Sequence, residues 1–162
     1  MLEIHPSALV HALADIEPSI RGTTIRIGAG TVIDAFVKIK PAGGSGAVII
    51  GEHCTFNSGC VIYSGNGVTI GNHVAIAANC TLAPVNHAYQ DAKKLIREQG
   101  FLAGKGGIVI EDDVWIGANT VVLDGSRLGR GCVIGAGSLV RGAVEAFSIC
   151  AGNPLKLLGR RT

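Results

Sequence analysis

Residues 110–141 read IEDDVW, IGANTV, VLDGSR, LGRGCV, IGAGSL and VR. The first position of each six-residue block is Ile110, Ile116, Val122, Leu128, Ile134 and Val140, always a branched aliphatic. The fifth is Val114, Thr120, Ser126, Cys132, Ser138 and Val144, always small or β-branched, and the second is often Gly. The same frame runs back through Ile70, Ile76 and Leu82, through Ile50, Phe56 and Ile62, and through Ile27, Ile33 and Ile39, with Ile4, Val10 and Ile16 as a looser first set. These are six triplets of 18 residues beginning at residues 4, 27, 50, 70, 110 and 128. The steps between starts exceed 18 by 5, 5, 2, 22 and 0 residues, so one insertion is large.

A helix wants apolar residues near every 3.6 positions and a half-buried strand wants them every second position. A period of six fits neither. It fits a coil of three short strands with a sharp corner after each, the large aliphatic and the small fifth residue both inside. One coil cannot bury its apolar side alone, so stacking supplies the core. At ~4.8 Å per coil, six coils make a prism roughly 25–30 Å tall. The frame absorbs Cys54, Cys60, Cys80 and Cys132 at fifth positions as small core residues, and leaves Cys150 outside it.

Composition agrees with a corner-rich, packed chain. There are 24 Gly in 162 residues and only 16% charged side chains, against about 7% Gly and about 25% charged on average. Disorder and collagen are excluded, because the chain is 48% hydrophobic and Gly does not recur every third residue. Mean hydropathy is +0.42, yet no apolar run approaches the ~18 residues of a spanning helix. The start, MLEIHPSALV, lacks a signal-peptide pattern. The expectation is one domain over 1–162, cytoplasmic, with reduced thiols, no membrane insertion and no nucleic-acid partner. From Asp124 onward Arg127, Arg130, Arg141, Lys156, Arg160 and Arg161 outnumber Asp124 and Glu145, a balance suited to a phosphorylated ligand.

The large insertion, about 83–107, reads APVNHAYQDAKKLIREQGFLAGKGG. Long loops in compact domains are usually functional or disordered. Tyr89, Leu95, Ile96 and Phe101 predict that this one docks, with a neighbouring subunit as the natural partner, and AYQDAKKLIREQ suggests a short helix.

The strict hexapeptide repeat, this His-bearing insertion, the run IEDDVWIGANTVVLDGSRLGRGCVIGAGSLV and the later AGNP resemble the hexapeptide-repeat acyltransferases, and within them the sugar O-acetyltransferases. The resemblance implies an all-β, left-handed parallel β-helix of about six triangular coils with one protruding loop, and a cap over about 145–162 that is a short helix or tail. It implies acetyl-CoA as co-substrate, no metal, and a homotrimer with sites between subunits. The reaction implied is direct transfer of acetyl to a sugar hydroxyl, as in surface-polysaccharide or O-antigen biosynthesis.

The resemblance makes His87 the general base. Imidazole titrates near neutral pH, and such a base is worth ~10²–10⁴ in rate. Asn57 becomes an acceptor contact; Asn86 could hold His87 or touch the acceptor, and either Asp91 or Glu98 is a candidate orienter of the ring. Trp115, expected at a corner and exposed, would wall the acetyl and pantetheine end of the donor. Gly117, Ala118 and Ala136 would line the donor groove, with a backbone N–H on the thioester carbonyl. Arg141, Lys156 and Arg160 would meet coenzyme A phosphates. The chain departs from the family at Arg141-Gly142, where relatives commonly carry Thr-Lys.

Other readings stay open from sequence. An amino sugar would make the enzyme an N-acetyltransferase. His53 and His73 occupy the fourth position of adjacent coils and should stack, as a zinc pair of a gamma-type carbonic anhydrase would, although no third ligand is evident. A non-catalytic scaffold is the third class. The segment after Val140 leaves the repeat and would cap an otherwise sticky end of the prism.

Overall fold

The computed structural model describes residues 1–162 and is a left-handed parallel β-helix. Its first face stacks Leu2–Ile4, Ile25–Ile27, Val48–Ile50, Val68–Ile70, Ile108–Ile110, Arg127–Leu128 and Ala143–Val144. The second stacks Leu9–Val10, Val32–Ile33, Thr55–Phe56, Ala75–Ile76, Trp115–Ile116, Val133–Ile134 and Ser148–Ala151. The third stacks Asp15–Ile16, Lys38–Lys40, Val61–Tyr63, Thr81–Ala83, Val121–Leu123 and Leu139–Val140. Six full coils result, with two strands of a seventh.

The six-residue frame is the register of this stack. Ile27, Ile50, Ile70, Ile110 and Leu128 pair in succession on the first face. Ile33, Phe56, Ile76, Ile116 and Ile134 do so on the second, and Ile39, Ile62, Leu82, Val122 and Val140 on the third. All of them are buried in one core cluster. The small fifth residues sit at the inner corners, where a hydroxyl or thiol finds a carbonyl of the next coil. Thr31 Oγ1 donates to the Gly51 carbonyl at 2.8 Å, and the Cys60 and Cys80 thiols donate to the carbonyls of Ala77 and Gly117 at 3.0 and 3.2 Å. These thiols are therefore packing residues with satisfied polar ends.

Three expectations are corrected by the coordinates. The repeat does not end at Val140. The next corner is only Arg141-Gly142, with Gly142 at φ +84°, and this short turn brings Val144 opposite Leu128 and Cys150 opposite Ile134. Val144 is thus a first-position residue rather than a fifth, and Cys150 belongs to the frame and is buried. The C-terminal segment is neither helix nor tail. It turns through a cis Asn153–Pro154 bond into the strand Lys156–Arg160, which pairs antiparallel with Ser148–Ala151. That pairing satisfies edge groups that would otherwise stay open. The insertion forms only one 3-10 turn, Ile96–Glu98, instead of a helix. Residues 91–98 are all exposed, so no apolar face is buried to stabilise so short a helix.

Burial also sets the thiol chemistry. It pushes Cys54 and Cys150 up and Cys132 up to about 12; the adjacent Cys80, with burial, holds Cys60 up, and the same contact lowers Cys80. Since the thiolate is the reactive form, Cys54, Cys60, Cys132 and Cys150 should ignore a disulfide-exchange reagent at pH 8 in native buffer, Cys80 should be shielded by its burial alone, and all five should react in denaturant. A thiol that reacts rapidly in the native protein would show that the inward frame is misassigned there.

Candidate active site

Because the three hydrophobic columns keep register, extra residues leave at one corner, between the third and first faces. Segments 17–24, 41–47, 64–67 and 84–107 all lie there. The long loop is laid along this corner on its own chain, toward the N-terminal coils. A Cβ on Gly65 would lie 2.6 Å from the Pro84 carbonyl oxygen, and one on Gly43 would lie 2.7 Å from a Val85 methyl. Gly43 has φ +77°, so both backbone conformation and space there call for glycine. The loop's outgoing leg thus crosses the corners of the third and second coils, and Phe101 ends beside residues 17–21 and 40–43. Tyr89, Leu95 and Ile96 stay exposed.

His87 lies at the far end of this leg. It forms an isolated antiparallel bridge with Phe101, and the two rings contact with centroids 4.7 Å apart and planes at 40°. Leu102 N–H donates to the Asn86 carbonyl at 2.8 Å and Ala88 N–H to Gly100 at 3.0 Å. The exposed imidazole is therefore positioned by backbone pairing and an aromatic wall. Neither candidate orienter touches it: Asp91 accepts from Lys93 N–H at 3.0 Å and pairs with Lys94, and Glu98 belongs to the exposed 3-10 turn.

The returning leg is fixed by a residue that sequence reading missed. Asp124, 9% exposed, accepts from Lys105 N–H at 2.8 Å, Gly107 N–H at 2.9 Å and the Asn66 side-chain amide at 3.0 Å. The only hint in the sequence is a carboxylate directly after an inward pair of residues, next to Gly125, which is ambiguous with an ordinary turn Asp.

The proposed donor residues gather at a different corner, between the second and third faces. Gly117-Ala118 stacks on Ala136, whose backbone N would lie 2.5 Å from a Cβ on Gly117, so Gly117 serves coil packing. The flanking amides are spent on the stack, Gly117 to Ile134 at 2.7 Å and Gly137 to Ala118 at 2.8 Å. The N–H groups of Ala118 and Ala136 have no partner in the chain. At the corner between the first and second faces the equivalent groups are capped by side chains, Glu52 N–H by Asn72 at 2.8 Å and Asn72 N–H by Asp112 at 2.7 Å. Alanine has nothing to cap with, and the N–H groups at this corner are left unpaired.

Asn57 is exposed at this same corner, its N–H bound to Ile76 at 2.9 Å. It stands with the donor set and away from His87 and Asn86. Trp115 is exposed as expected, but it lies within a strand of the second face, between Ala75 and Val133, and not at a corner. The turn takes positions two to four of the hexad, so the sixth falls in the following strand. Arg141, Lys156 and Arg160 do come together, lining one cleft at the C-terminal end with Glu145. Arg160 is ion-paired to Glu145, while Arg141 and Lys156 have no acidic partner. His53 and His73 stack, with centroids 5.3 Å apart and planes at 9°; no group of three His, Cys, Asp or Glu is placed to hold a metal ion.

Comparison with known proteins agrees with this architecture. Residues 107–142 match the model described as bacterial transferase hexapeptide (six repeats), and 47–84 that of the hexapeptide repeat of succinyl-transferase. The chain is 30% identical over 142 residues to the Escherichia coli protein WbbJ, named for lipopolysaccharide biosynthesis O-acetyl transfer, covering 85% of this chain and 69% of that one. It is also 30% identical over 152 residues to a probable acetyltransferase of Mycobacterium tuberculosis, covering 94% of this chain and spanning about half (47%) of that relative. Among solved structures, AntD, an N-acyltransferase from Bacillus cereus in complex with dTDP and coenzyme A, superposes with TM-score 0.81 at 20% identity, over 99% of this chain and 83% of that one. A hexapeptide-repeat acetyltransferase from Vibrio cholerae complexed with acetyl-CoA does so with TM-score 0.66 at 27% identity, over 99% and 71%. The chain belongs to the hexapeptide-repeat acyltransferases.

The Asp124 anchor is testable. Asp124→Ala leaves two backbone N–H groups without their acceptor, at ~1–3 kcal/mol for a buried unsatisfied group. Denaturant unfolding should show a loss of about 2 kcal/mol, and amide exchange over 84–107 should speed up selectively. Unchanged exchange in the loop would remove Asp124 from its anchoring role.

Proposed function

We propose that the protein moves the acetyl group of acetyl-CoA to a hydroxyl of a sugar, by direct transfer within a ternary complex. The observation that carries this reading is His87: an exposed imidazole, braced by Phe101, at the position where the family resemblance expects the base. WbbJ, similar over most of the chain, is named for O-acetyl transfer in lipopolysaccharide biosynthesis, which favours a hydroxyl of a surface saccharide as the acceptor.

In the proposed step His87 takes the hydroxyl proton while the oxygen attacks the thioester carbonyl carbon. The carbonyl oxygen gathers negative charge and is met by the N–H of Ala118, a donor with no partner in the chain. The C–S bond then breaks, and the imidazolium returns its proton to the departing thiolate. The products are an acetyl ester and free coenzyme A. Ala136 N–H and the small side chains around it support the pantetheine arm, Trp115 flanks it, and Arg141 and Lys156 are the cations left for phosphate. Arg160, already paired with Glu145, contributes less than the sequence suggested.

The reaction requires atoms ~3–3.5 Å apart, and one chain does not bring them there. His87 lies at the insertion corner beside the first two coils, whereas Ala118 and Ala136 lie at another corner in the fifth and sixth. A whole face of the prism separates the two corners, so a single chain does not bring these groups together. The site therefore closes between subunits, His87 of one facing the Ala118 corner of the next, and a cyclic trimer uses that interface three times.

His87→Ala should leave calorimetric acetyl-CoA affinity within a few-fold and cut turnover on a saccharide acceptor ~10²–10⁴-fold, the usual worth of a general base. Full turnover by this variant would remove His87 as the base. Failure of the wild-type protein to bind acetyl-CoA would remove the acyltransferase reading.

A further inference from the structure

Beside Phe101 lies a cavity of about 500 Å³ walled by the stacked insertions of the first two coils and the long loop, with Glu17, Ser19, Arg21, Lys40, Gly43 and Phe101 on its surface. The size suits a small ligand. Its wall mixes these polar and charged groups with Pro18, Ile20, Pro41 and Ala42, and its one aromatic, Phe101, is 49% exposed and backed by the His87 ring. A flat aromatic face in a cavity of mixed apolar and charged lining matches the C–H face of a pyranose ring, which has an apolar body and a polar rim.

The charges narrow the ligand further. Glu17 is committed to two ammonium groups, Lys38 and Lys40, each at 3.2 Å, and Lys38 also meets Asp15 at 2.7 Å. Arg21 has no acidic partner among the ion pairs of the chain. The cavity thus carries an uncommitted guanidinium, whose fork of N–H donors matches the two oxygens of a carboxylate or phosphate.

We propose that this cavity is the acceptor subsite and that the acceptor is an anionic saccharide. Its ring lies on Phe101, its carboxylate or phosphate meets Arg21 with Lys40 nearby, and a ring hydroxyl reaches past Phe101 to His87. The proposal rests on the acyltransferase reading for the role of the ligand, but the binding itself is measured without the donor.

The experiment is saturation-transfer NMR and calorimetry on the purified protein, free of acetyl-CoA. The probes are methyl glucuronide and methyl galacturonide, glucose 1-phosphate and galactose 1-phosphate, and the neutral methyl glucoside and galactoside. At least one anionic probe should bind ten-fold or more tightly than its neutral counterpart, and whether the uronides or the phosphates win identifies the anionic group. Arg21→Ala should remove that preference, a loss of about 10- to 100-fold for a charge-assisted contact, and Arg21→Lys should restore part of it. Phe101→Ala should weaken all probes together. Equal binding of charged and neutral probes, a preference that survives Arg21→Ala, or no saccharide binding at all would overturn the proposal. Saccharide binding without acetyl-CoA binding would leave the subsite standing and overturn the acyltransferase reading instead.

Discussion

Everything in this molecule depends on three columns of aliphatic side chains staying in phase from coil to coil. Each strand is two or three residues long in nearly every coil and has almost no stability of its own. It is held by parallel pairing above and below and by the inward residue that stacks on its equivalents. A slip of one residue would turn that column to solvent. The chain accordingly tolerates extra residues only where a coil has closed and the next has not begun, and all the insertions emerge at one corner. Function is built on this by-product of packing: the loop lies along the corner because the shorter insertions beneath it form its bed.

The same constraint explains why the candidate residues fall into separate groups. Residues that are neighbours in the repeat, such as Trp115, Gly117 and Ala118, pass from one face into the following corner, and His87 is carried away by its loop. Within a chain the proposed base and the proposed donor corner are separated by a face of the prism. An acyltransferase of this design is a half-site at each corner. The corners differ in chemistry through the side chains available to cap backbone groups: Asn72 and Asp112 close one, and alanines leave N–H groups of another unpaired.

Most of the fold was legible in the sequence because a periodic core writes itself periodically. Even the phase of each column, Ile27 to Leu128 and Ile33 to Ile134, can be read from the spacing. The frame failed where one corner shortened, at Arg141-Gly142, since removing two residues moves Val144 and Cys150 to new roles without changing their apolar character. The site was less legible. His87, Trp115 and the Gly/Ala corner were visible as a family pattern, but Trp115 was put at a corner because the turn position within the hexad cannot be derived from periodicity. Asp124 and Phe101 were missed for a different reason. Their partners, two loop N–H groups and an imidazole, are set by where the loop lies, and nothing local in a non-repeating segment encodes that.

His87 and the Ala118–Ala136 corner are proposed to act together across a subunit boundary. The direct measurement is complementation between two inactive variants, His87→Ala and Ala136→Trp, the second filling the donor groove at an exposed position. Mixed oligomers formed by co-expression should regain activity, because some interfaces pair an intact His87 with an intact donor corner. Mixed oligomers shown to contain both chains and yet to remain inactive would contradict the claim and return the site to a single chain.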